Sequence, residues 1–187
     1  MPNNPFPMRT LILPGWHGSG PEHWQSHWQS REPSALRVEQ DDWDQPRLEP
    51  WLQRLDAAVR ENPGALLVAH SLGVILVAHY ASRFPDAAVG AALLVAPGDA
   101  DLHGPHEPAI ASFAPVPRAP LPFASTMVLS RNDPHMAFER GQSLARDLGC
   151  TIIDLGDAGH INPDSGYGPW PHGHDLADAL RQHHAQG

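Results

Sequence analysis

Residues 64–73 read Gly64-Ala65-Leu66-Leu67-Val68-Ala69-His70-Ser71-Leu72-Gly73. The unbroken apolar run from Ala65 to Ala69 predicts a strand buried on both faces, because a half-exposed strand alternates apolar and polar residues. The apolar stretch from Leu72 to Ser82 predicts a helix that stops at Phe84-Pro85. Between them lies the spacing small-x-Ser-x-small, carried by Ala69, Ser71 and Gly73. A turn that passes from strand to helix this tightly holds serine on strained backbone, with its hydroxyl clear of the strand tip. It crowds the residues two before and two after, so both must be small. Gly73 satisfies this, and Ala69 is one methyl larger than the usual glycine. The plainer use of such a serine is to cap the helix that follows.

Working outward, further apolar runs predict strands at Thr10–Leu13, Leu36–Val38, Val89–Val95, Thr126–Ser130 and Thr151–Leu155. Helices are expected near 21–30, 50–61, 136–148 and 174–184, with a short one inside Pro105–Phe113. Strands that alternate with helices and are apolar on both faces require a parallel sheet covered on both sides. The expected architecture is a three-layer α/β/α sandwich with about six parallel strands. The whole of 1–187 reads as one domain, with 1–8 a loose N-terminal tail. The Pro-rich stretch from Asp99 to Ala124 has the length of an active-site loop and is too short for a lid domain.

Composition narrows the partners. Every one of the 12 basic residues is arginine, against 21 acidic residues, for a net charge of −9 with histidine neutral. Scattered arginine on an acidic chain fits neither a nucleic-acid backbone nor an anionic membrane surface. The single cysteine, Cys150, rules out an intrachain disulfide and suits a reducing, cytoplasmic setting. The first residues lack the basic and apolar regions of a secretory signal. Among the 13 histidines, His23 and His27 have a metal-ligand spacing, but the glutamate of a metalloprotease helix is missing between them. No metal and no cofactor is expected. His70 and His79 read as packing or surface residues.

A nucleophilic serine needs a base and an acid to orient that base. In folds of this kind they follow in the order Ser, Asp or Glu, His, each on a loop after a strand. Asp133 follows the strand 126–130 in Arg131-Asn132-Asp133-Pro134, a sequence that also suits an Asx-turn. His160 follows the strand 151–155 in Gly156-Asp157-Ala158-Gly159-His160. Asp99, after the preceding strand, is the substitute for the acid. Two backbone N–H groups would hold an oxyanion: that of Leu72, and one from the loop Pro14-Gly15-Trp16-His17-Gly18-Ser19-Gly20. Trp16 is the preferred second donor and His17 its neighbouring alternative. The expected substrate cleft gathers Trp16, His17, Met136, Ile161 and Trp170 around Ser71.

Four segments together resemble the small α/β-hydrolases of the retinoblastoma-binding protein 9 type. They are Leu13-Pro14-Gly15 with Gly20-Pro21-Glu22-His23-Trp24; Ala69-His70-Ser71-Leu72-Gly73; Ser130-Arg131-Asn132-Asp133-Pro134 with Phe138-Glu139; and Ala158-Gly159-His160-Ile161-Asn162 through Ser165-Gly166 to Gly168-Pro169-Trp170-Pro171. The resemblance spans nearly the whole chain. It implies a compact α/β-hydrolase fold without the first two strands of larger relatives, and a catalytic set that falls by position on Ser71, Asp133 and His160. The Leu-x-Cys-x-Glu signature tied to retinoblastoma-protein binding is absent. The reaction so implied is hydrolysis of a small ester or amide, with a binding or regulatory protein on the same scaffold as the alternative. Oligomeric state is left open.

Overall fold

The computed structural model describes residues 8–186. Its centre is a six-stranded, wholly parallel sheet of β1 (Thr10–Leu13), β2 (Leu36–Arg37), β3 (Ala65–Ser71), β4 (Val89–Pro97), β5 (Ala124–Leu129) and β6 (Thr151–Asp154). The strand order is β2-β1-β3-β4-β5-β6. Among the described residues five α-helices connect the strands, α1 (Trp24–Arg31), α2 (Leu48–Glu61), α3 (Leu72–Arg83), α4 (Ala100–His103) and α5 (Phe138–Asp147), and a sixth, α6 (Pro171–Gln186), follows β6.

The alternation of side chains along a strand divides the interior in two. Leu11, Leu13, Leu67 and Ala69 pack with Trp51 and Leu55 of α2, Ile75 of α3 and Leu144 of α5. Their neighbours Ile12, Leu66 and Val68 point the other way, to Trp24 and Trp28 of α1 and Ala177 and Leu180 of α6. Both faces are therefore dry, as the apolar runs require. Met8, placed in the expected loose tail, packs against the second of these clusters; the rest of that tail lies outside the described residues.

Several element boundaries differ from the sequence reading for local reasons. The chain from Pro21 to His23 is a turn, and α1 begins only where the His23 imidazole accepts the Gln25 N–H at 3.1 Å. Pro171 opens α6 rather than preceding it, since proline lacks only an N–H that the first turn leaves unpaired. The short helix expected within Pro105–Phe113 is replaced by α4 and a 3₁₀ turn at Ala111–Phe113.

The first crossover leads from β1 to β2 on one side, and β3 returns to β1's other side. Open parallel sheets bind ligands at such a reversal, beyond the carboxyl ends of the strands. Every loop of the candidate site leaves that edge.

Candidate active site

Ser71 ends β3 and immediately precedes α3, with φ +55 and ψ −120. This conformation is costly for a residue with a Cβ, and it lifts the side chain off the strand tip. Its own side chain caps nothing, so the plainer use as a helix cap is not realised. The close approach behind the turn is what demands small neighbours. A Cβ on Gly73 would stand 2.4 Å from the Leu13 carbonyl oxygen, and one on Gly15 would stand 2.8 Å from Ser71 Cβ. Ala96 (φ +46), in the neighbouring strand, and Ile161 (φ +47), beside His160, are likewise left-handed. Backbone strain is concentrated along this one edge.

His160 Nε2 lies 2.9 Å from Ser71 Oγ. Its Nδ1 lies 2.9 Å from both carboxylate oxygens of Asp133. A carboxylate only accepts, so Nδ1 carries the proton and Nε2 is free to accept from the serine hydroxyl. Both side chains are almost wholly buried, at 9% and 3% exposure. Asp133 Oδ1 also accepts the His135 N–H at 2.8 Å, so the Asx-turn and the pairing with histidine occur together. Asn132, unweighed in the sequence reading, joins the two loops. Its Oδ1 accepts the Gly159 N–H at 2.7 Å and the Ser130 hydroxyl at 2.9 Å. Ser130 Oγ in turn accepts the Ala158 N–H at 3.0 Å.

Asp99 is occupied elsewhere. Its carboxylate takes both an Nε and an Nη hydrogen of Arg140 and the Leu102 N–H, capping α4. Burial raises its pKa, but the Arg140 guanidinium and that N–H outweigh this and hold it below the ordinary value.

Leu72 is the first residue of α3, so its N–H has no acceptor within the helix. In the β1 loop the His17 backbone N–H is bound to the Trp43 carbonyl at 2.9 Å, whereas the Trp16 backbone N–H makes no hydrogen bond among the described residues. The Trp16 and His17 rings stack at 4.5 Å, and both bond Asp44. The arrangement thus brings together a hydroxyl, an imidazole paired with a carboxylate, and two backbone N–H groups, one opening α3 and one in the β1 loop.

A cavity of about 530 Å³ opens over Ser71, within the range of small-molecule sites. Trp16 and His17 line it, with His23, His103, Glu107 and Ile110 among the others. The expectation that Met136, Ile161 and Trp170 face it is corrected. All three are core residues, at 6%, 0% and 8% exposure, and Trp170 packs edge-on against Trp24 at 5.2 Å. Their place in the chain beside the loops is right, but large apolar side chains turn inward. The wall is also richer in imidazoles than expected. His70, which the sequence marks as a packing or surface residue, and His135, unweighed there, have rings 4.8 and 4.5 Å from that of His160. His79 packs near Phe113 and bonds its carbonyl at 2.8 Å. Among the described residues no group of three His, Cys, Asp or Glu side chains gathers as a metal site. No helix among them is long and apolar enough to cross a membrane.

Two of these imidazoles make stability depend on pH. Burial, then Arg37 and then His160, lower His23 to about 4. Burial foremost pushes His70 well below its ordinary value. Over the interval between folded and unfolded pKa, such a group binds more protons unfolded than folded. Its contribution is intact above about pH 6.5 and is lost as the pH falls, at about 1.4 kcal/mol per pH unit for a fully buried group. Urea unfolding should show stability declining from pH 6.5 towards 4. His23→Asn, which keeps an N-cap and removes the titration, should flatten that decline; an unchanged slope would contradict the assignment.

The comparisons with known proteins agree with this fold. A YdeN-like hydrolase assignment from Pectobacterium atrosepticum belongs to a structure with TM-score 0.85 and 28% identity, over 95% of this chain and 92% of that one. The ydeN gene product of B. subtilis superposes with TM-score 0.76 at 21% identity, over 92% and 98%. A thermophilic esterase from Thermogutta terrifontis shares the fold, with TM-score 0.66 at 14% identity, over 95% and 90%. No curated protein sequence matches. The serine hydrolase family model matches residues 10–179, a span that holds the elbow and both partner loops, and the chain belongs to the serine hydrolase family.

Proposed function

We propose that the chain hydrolyses small carboxylic esters, with small amides as a second class, through Ser71, His160 and Asp133. The observation that carries this is the unbroken line from Ser71 Oγ through both nitrogens of His160 to the Asp133 carboxylate. His160 Nε2 takes the hydroxyl proton as Oγ bonds to the ester carbonyl carbon. The Leu72 and Trp16 N–H groups hold the oxyanion. Nε2–H then protonates the departing alkoxide as the C–O bond breaks, leaving an acyl-serine. Water repeats the sequence and releases the acid. Asp133 keeps Nδ1–H in place and stabilises the transient imidazolium. The likeness to the retinoblastoma-binding protein 9 type and to esterase folds supports this reading of the reaction class.

The cavity supports short acyl groups. Each methylene adds about 0.8 kcal/mol of binding only where a wall covers it. Among the described residues the wall carries Glu107 and Asp164 and no arginine, Asp99 being paired with Arg140, which disfavours acyl groups with a second carboxylate. With p-nitrophenyl esters, kcat/KM is expected to rise from acetate to butyrate or hexanoate and then level off, with the succinate half-ester well below butyrate. A steady climb to dodecanoate would overturn the size argument. A fluorophosphonate probe should label the wild-type chain; absence of both labelling and turnover would favour a binding protein on this scaffold.

A further inference from the structure

The turn that carries His160 is held by two buried ring donors from distant parts of the chain. His70 Nε2 lies 2.8 Å from the His160 carbonyl oxygen. Trp24 Nε1–H donates to the next carbonyl, that of Ile161, at 2.9 Å. Ile161 sits between these bonds at φ +47, a conformation that a β-branched residue keeps only when its surroundings impose it. Both donors are fixed in turn. His70 is 5% exposed and Trp24 1%. The His70 ring packs 4.7 Å from His23 and 5.9 Å from Trp24.

A carbonyl only accepts, so Nε2 of His70 bears the hydrogen. Burial, with the neighbouring His160 and His23 imidazoles, holds the ring neutral. His70 is thus a permanent single donor whose partner is the backbone of the residue that faces Ser71. It is also bonded in sequence to Ser71. The contact closes a ring: Ser71 to His70 along the chain, His70 to the His160 carbonyl, and the His160 imidazole back to Ser71 Oγ.

We infer that His70 and Trp24 are positioning residues for His160, holding two successive carbonyls so that its Nε2 meets Ser71 while Nδ1 meets Asp133. The inference rests on the reading of His160 as the base. Neither residue is needed to touch substrate for this purpose. Losing either donor also leaves a buried carbonyl unpaired, which favours a rearranged turn. A displacement of about 1 Å at a reacting group costs up to roughly 100-fold in rate.

The test uses the whole chain with His70→Phe, His70→Gln and Trp24→Phe. Phenylalanine keeps a ring and removes the donor, whereas glutamine can place an amide N–H near the position of imidazole Nε2. On p-nitrophenyl butyrate, His70→Phe and Trp24→Phe should lower kcat by roughly 10- to 100-fold with KM within about twofold. His70→Gln should recover most of that loss. The far-downfield proton resonance of His160 Nδ1–H on Asp133 should shift or broaden in both phenylalanine variants and return in His70→Gln. A packing role alone would lower Tm and leave both readouts in place. Wild-type kcat and an unmoved resonance in His70→Phe would overturn the inference. Should His70→Phe not melt cooperatively, the same result in Trp24→Phe would do so. If the wild-type chain neither turns over nor reacts with fluorophosphonate, the catalytic reading fails, and the resonance alone decides the positioning.

Discussion

Ser71→Ala is expected to abolish fluorophosphonate labelling and to lower kcat by about 10⁶-fold, the scale on which a serine hydrolase loses its nucleophile. The fold should survive. Ser71 makes a hydrogen bond to His160 and caps no helix, and alanine bears the same strain at φ +55 as serine does. Tm is therefore expected to move by only a few degrees. Undiminished labelling would place the nucleophile on another serine. Loss of labelling together with loss of the cooperative melt would leave the assignment to a chemically gentler variant, Ser71→Cys, which should fold and react with thiol reagents at that position.

Asp133→Asn is expected to cost about 10⁴-fold in kcat. The asparagine carbonyl can still accept the His135 N–H now bound at 2.8 Å, so the loop keeps its shape. What fails is the proton inventory. An amide NH₂ facing Nδ1 favours the tautomer with Nε2–H, which cannot accept from Ser71. Asp99→Asn provides the contrast. It weakens the pairing with Arg140 and the cap of α4, so Tm should fall while the rate drops far less. If Asp99→Asn cripples turnover and Asp133→Asn does not, the acid has been misassigned.

The parts of the site that lie at strand ends were legible in the sequence. Ser71, Asp133 and His160 each follow an apolar run, and a parallel sheet brings the carboxyl ends of all such runs to one edge. The order of the strands then needs no further information to gather them. What the sequence concealed depends on contacts across the chain. His70 and His160 are 90 residues apart, and Trp24 and Ile161 are 137 apart; nothing in either local pattern marks the pairing. Asn132 stands in the sequence only as the neighbour of Asp133, though its side-chain carbonyl secures the histidine loop. Met136, Ile161 and Trp170 were misplaced because adjacency in sequence to a site residue says nothing about which way a side chain faces. Burial followed hydrophobicity instead. The stretch from Asp99 to Ala124 reads as an active-site loop and does line the cavity, but α4 within it was hidden because a four-residue helix in a Pro-rich stretch has no periodicity to detect.

That wall has an evolutionary consequence. His103, Glu107 and Ile110 form one side of the cavity, and the segment that bears them contributes neither Ser71, His160 nor Asp133. It is anchored at both ends, by the Asp99 cap and by Phe113 in the core. On the catalytic reading proposed above, mutations between those anchors can alter which substrates are accepted without touching Ser71, His160 or Asp133. Substrate preference and bond-breaking chemistry are then separately evolvable, and a library confined to residues 101–110 would vary the first while leaving the second in place.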